Sequence, residues 1–115
     1  MTQVMFHFNV PDKVGYACRL LQKAYAAGGA VGVVAEPEAL QRLDGALWSF
    51  SALAFVPHCV AGAPARVRAA SPIVLAAACA ELPQASRLLV HLGLALPQGF
   101  ERFERLIELV GTDAE

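Results

Sequence analysis

His7, His58 and His91 are the side chains of this 115-residue chain most suited to proton transfer or metal binding, and their spacing favours neither. Zinc needs three or four converging ligands. No HxxxH or CxxC is present, and Cys18, Cys59 and Cys79 are odd in number and far apart. Such cysteines are expected to be buried thiols in a reducing cytoplasm. Cys59 directly follows His58, but neighbouring extended residues point to opposite faces, so a thiolate–imidazole pair does not align. Each histidine is therefore expected to be structural or hydrogen-bonded. Glu36 and Glu38 flank Pro37 at a helix start, where acids suit the dipole, and Glu101, Glu104 and Glu108 read as a solvated helix face. Gly28-Gly29-Ala30-Val31-Gly32 lacks the GxGxxG order and precedes a strand instead of following one, which reads as a helix stop feeding a strand. Arg66 and Arg68 alternate among small residues and read either as a grip for a carboxylate or phosphate or as a solvated loop. No catalytic, cofactor or metal site is expected.

The elements that would position these residues follow from periodicity. Residues 3–10 alternate Val4, Phe6 and Phe8 with Met5, His7 and Asn9, as a strand does. Pro11 and Asp12 open a helix whose apolar positions are Val14, Ala17, Cys18, Leu21, Ala24 and Tyr25. Ala30 to Ala35 suits a strand covered on both faces. Pro37 begins a second helix with Leu40, Leu43 and Leu47 on one face, ending near Trp48. This strand–helix–strand–helix order favours parallel pairing with helical crossovers. Residues 50–70 look loop-rich, with a short strand near Phe55-Val56. Ile73 to Ala78 and Leu88 to Leu92 read as strands. Phe100, Phe103, Leu106, Ile107 and Val110 suggest a last amphipathic helix, with Glu101 and Arg105 paired at i,i+4. The expected fold is α/β, a single Rossmann-like domain over 1–115 with a mainly parallel sheet flanked by helices.

Composition narrows the function classes. With 57% hydrophobic and 17% charged residues the chain is not disordered. A net charge of −1 leaves no basic excess for strong direct nucleic-acid binding. No charged leader with a long apolar stretch opens the chain, and no apolar run nears the roughly 20 residues that span a bilayer. A cytoplasmic protein without membrane contact is expected.

Residues 43–62, LDGALWSFSALAFVPHCVAG, stand out. Trp48 is the only tryptophan, and Phe50, Phe55, Pro57 and His58 follow within ten residues. On residue types alone this is either core packing or a partner-binding patch with aromatic anchors. Leu43-Asp44, Ala46-Leu47-Trp48, Phe55-Val56-Pro57-His58 and Ala61-Gly62 together resemble the signature segment of the chi accessory subunit of bacterial DNA polymerase III. Outside that segment the likeness is one of pattern, over roughly residues 3–111.

The resemblance implies a non-catalytic subunit of the replicase. Its partners would be the psi subunit, which ties it to the clamp loader, and the acidic tail of single-stranded-DNA-binding protein. Together these contacts link polymerase to coated template. Trp48, Phe55, Pro57 and His58 are then the expected psi-facing patch, as anchors or hydrogen-bonding rim residues. The family pattern continues into a basic helix of the Ala-Arg-x-Arg-x-x-Tyr type, whereas this sequence reads Gly111-Thr112-Asp113-Ala114-Glu115 there. Weak or absent tail binding is expected, since an acidic peptide needs Arg or Lys beside an apolar pocket. Apolar surface without that helix also suggests self-association. Two rival readings share the architecture: a small nucleotide-binding domain or enzyme, and a homo-oligomeric interaction protein.

Overall fold

The protein is described by a computed structural model covering residues 2–49, 58–64, 71–83, 86–93 and 97–111. Strand β1 (Gln3–His7) leads through Pro11 into helix α1 (Lys13–Ala26). The Asp12 side chain accepts the Gly15 N–H at 3.1 Å and so occupies an otherwise unpaired helix-start donor. Gly28 stops the helix with φ +83°, in the left-handed region that glycine enters without strain. The glycine-rich run is thus a helix stop feeding strand β2 (Val31–Val34). Helix α2 (Pro37–Ser49) begins at proline, with Glu38 in its first turn. Strands β3 (His58–Val60), β4 (Ile73–Ala76) and β5 (Leu88–His91) follow, and β6 (Arg105–Leu109) completes one six-stranded sheet.

The strand order is β1-β6-β5-β2-β4-β3, with every pairing parallel. Parallel crossovers are right-handed, so the direction of travel decides the face on which a connection lies. From β1 to β2 to β3 the chain moves one way, and α1 and α2 lie on one face. From β3 through β6 it returns, and the described residues of those connections, Ala61, Ala63, Cys79, Leu82, Phe100 and Phe103 among them, pack on the other face. The two cores follow suit. On the helical face Ala17, Cys18, Leu21, Leu43 and Leu47 pack on Val31, Val33, Leu75, Val90 and Ile107. On the opposite face Cys79, Leu82 and Phe103 from the return connections pack on Val34, Val74, Leu89 and Leu106. Gly32 in β2 makes room for Leu82, since a Cβ there would meet Leu82 Cδ1 at 2.5 Å.

One expected element is different. The last amphipathic helix is instead a short 3-10 turn, Phe100–Arg102, followed by β6. Between β1 and β5, β6 is covered on both faces, and Leu106 to Leu109 are all buried. A short apolar run of this kind does not distinguish a strand from a buried helix. Glu101 and Arg105 are therefore not helical neighbours; Glu104 instead pairs with Arg87 at 3.1 Å. Glu108 is not solvated but buried. Both sheet edges carry exposed apolar side chains. Phe6 and Phe8 stack at 5.8 Å on the β1 edge, and Val60 stands exposed on β3 at the other.

Candidate partner-binding site

Helix α2 and edge strand β3 form one surface. Leu43 and Leu47 point into the core and fix the helix on the sheet. Asp44 and Trp48, one turn apart, share another side of the helix and reach His58 at the start of β3. The His58 side chain is wholly buried, and its Nε2 lies 3.0 Å from Asp44 Oδ1, whose side chain is 39% exposed. A carboxylate accepts, so the ring N–H donates. Trp48 sits edge-on to the imidazole, with ring centroids 5.5 Å apart and planes at 64°. Trp48 itself is 63% exposed. An open hollow of about 390 Å³ lies between α2 and Val60, lined by Pro37, Glu38, Leu40, Gln41, Asp44 and Val60.

Of the four residues singled out in the sequence, the structure brings Trp48 and His58 into contact. Trp48 is largely exposed, and the His58 side chain is buried beneath it. Phe55 and Pro57, like Phe50, Arg66 and Arg68, lie outside the described residues. Sequence reasoning missed Asp44 as the partner of His58 and Val60 as an exposed neighbour. The i,i+4 spacing of Asp44 and Trp48 was the available signal.

The other histidines are hydrogen-bonded as well. His7 Nδ1 lies 2.7 Å from the Tyr16 hydroxyl, and His91 Nδ1 lies 2.6 Å from Glu108 Oε2. This last pair is a second feature that sequence reasoning missed. A lone titratable residue inside each of two apolar runs was its signal. His58 and Cys59 point to opposite faces of β3, toward α2 and into the far core respectively. All three cysteines are free and buried. Burial raises the Cys18 thiol above its usual pKa, with Asp12 adding and Arg19 opposing. Burial likewise raises Cys79, against the nearby Arg102 charge. Both are therefore poor nucleophiles at neutral pH. Among the described residues no group of three metal-binding side chains converges, and no helix is long and apolar enough to cross a membrane.

Two comparisons bear on this geometry. The family profile described as "DNA polymerase III chi subunit, HolC" matches residues 1–115. The DNA polymerase III subunit chi of Pseudomonas aeruginosa is 37% identical over 117 residues, an alignment covering 96% of this chain and 78% of the relative.

Proposed function

The chain belongs to the DNA polymerase III chi subunit family, and from that premise we propose that it is a non-catalytic, cytoplasmic accessory subunit of the replicase. It binds the psi subunit through the α2–β3 surface and so links the clamp-loader assembly to template coated with single-stranded-DNA-binding protein. The observation that carries this reading is Trp48 left 63% exposed, on a helix whose Asp44 lines an open hollow together with the exposed Val60. Large aromatics in solvent beside apolar neighbours are the usual anchors of protein interfaces. Trp48 is the central anchor and His58 supports it from below; Phe55 and Pro57, from the same sequence segment, are proposed as further contacts. The hollow carries Glu38, so a complementary cation on the partner favours docking.

Size-exclusion chromatography with light scattering, run with psi from the same source, tests this. Wild type is expected to co-elute with psi, and Trp48→Ala to weaken the complex by about tenfold or more. Co-elution of both with equal affinity would return Trp48 to a role in folding alone. The same run reports self-association through the exposed Phe6–Phe8 edge, and a clean monomer at high concentration excludes it.

The acidic tail of single-stranded-DNA-binding protein is a weaker ligand for the described surface. Arg102 is already held by the carbonyls of Cys79, Leu82 and Pro83, at 3.0, 3.0 and 3.3 Å. Arg87 pairs with Glu104, and Lys13 donates to the Leu92 carbonyl. Calorimetric titration with a tail peptide is expected to show weak or no binding; a low-micromolar affinity refutes this.

A further inference from the structure

We propose that Asp44 is the positioning residue of the docking surface, presenting Trp48 to the partner by locking the His58 ring beneath it. The inference rests on the reading of this surface as the psi site and names the residue that organises it. Three observations form the chain. The His58 side chain is fully buried, so its ring N–H needs an acceptor inside the protein. Asp44 Oδ1 supplies one at 3.0 Å and ties α2 to the edge strand. The ring so fixed meets the Trp48 indole at 5.5 Å and 64°, a T-shaped contact that orients a largely exposed side chain.

A binding anchor held in place before docking loses less rotamer freedom on complex formation. Removing the Asp44 carboxylate takes away the acceptor of a buried N–H. The imidazole must then turn or admit water, and either change displaces the surface on which Trp48 rests. Asp44 thus influences the complex through His58.

The experiment compares Asp44→Ala, Asp44→Asn, His58→Ala and the Asp44→Ala/His58→Ala double variant. Far-ultraviolet circular dichroism checks folding, and psi affinity is measured by titration. Near-ultraviolet circular dichroism reports the packing of Trp48, which is the only tryptophan. Asp44→Ala is expected to flatten the indole band and weaken psi binding by about tenfold, the size of a lost charged hydrogen bond. Asp44→Asn keeps a carbonyl acceptor and is expected to preserve both. The double variant is expected to bind no more weakly than the worse single variant, since both act along one path.

An unchanged indole band and affinity in Asp44→Ala overturn the proposal. So does lost affinity with an intact band in Asp44→Asn, which would mean the charge meets the partner directly. Failure of wild type to bind psi would instead sink the functional reading. The indole band, read in the free protein, would still decide whether Asp44 orients Trp48.

Discussion

Replacing His91 with alanine is expected to destabilise the protein by about 3–5 kcal/mol, because it strands a buried carboxylate. His91 and Glu108 are register partners on the adjacent strands β5 and β6. Their side chains are 8% and 5% exposed, and the 2.6 Å separation is at the short end for a charge-assisted hydrogen bond. Among the described residues Glu108 Oε1 has no hydrogen-bond partner, so the carboxylate depends on His91 through its other oxygen. Loss of that contact leaves both oxygens without the water they gave up on folding.

The double replacement His91→Leu/Glu108→Leu should be markedly less damaging than His91→Ala. Replacing both members of a buried pair with apolar groups of similar volume is often neutral or stabilising. Urea denaturation of the three proteins measures the difference. A wild-type midpoint for His91→Ala would show that Glu108 does not rely on this partner.

Phe103→Ala is expected to cost a similar amount, about 3–5 kcal/mol. Phe103 is among the largest fully buried side chains. It belongs to the face served by the return connections, where no α-helix lies among the described residues. There the core depends on single side chains such as Leu82, Phe100 and Phe103 that dip from short segments onto Leu89 and Leu106. The Arg102 guanidinium lies 4.2 Å from the centroid of the same ring while donating to three carbonyls, so truncation also loosens the clasp between residues 79–83 and 100–103.

The surface proposed for psi lies on the α2 side, so Phe103→Ala should lower the denaturation midpoint while leaving psi affinity close to wild type below that midpoint. A matched loss of psi affinity in the folded variant would mean that the two faces are coupled. An unchanged midpoint would mean that Phe103 is not the closing side chain of this core.

Much of the first half was legible because its signals are local. Asp12 before a 3.6-residue apolar period, the Gly28 stop, the apolar run at 31–34 and Pro37 at a helix start all act within a few residues of themselves. The final segment was misread for the converse reason. Phe100, Phe103, Leu106 and Ile107 fit a helical stripe, and Glu101 with Arg105 fits a helical ion pair. Only the placement of β6 between β1 and β5 explains why Leu106 and Ile107, which point to opposite faces, are both buried. Glu108 was misread with them, since its partner lies 17 residues away on another strand.

The docking surface divides in the same way. Residue types marked Trp48 and His58 as unusual, but nothing local distinguished an anchor from a core residue. Leu47 and Trp48 are adjacent in the chain. The 100° turn between them buries the first and leaves the second largely exposed at the sheet edge, where β3 is the last strand.

By itself, then, the sequence determined the α/β class, the helix boundaries near residues 12, 28 and 37, and the segment that carries the family likeness. These depend on steric and hydrogen-bonding preferances that operate within a turn or two of chain. The tertiary structure alone decided which strands lie at the edges, which face each connection covers, and which carboxylate meets which imidazole. Those depend on strand order, and strand order follows from right-handed crossovers and burial summed over the whole sheet.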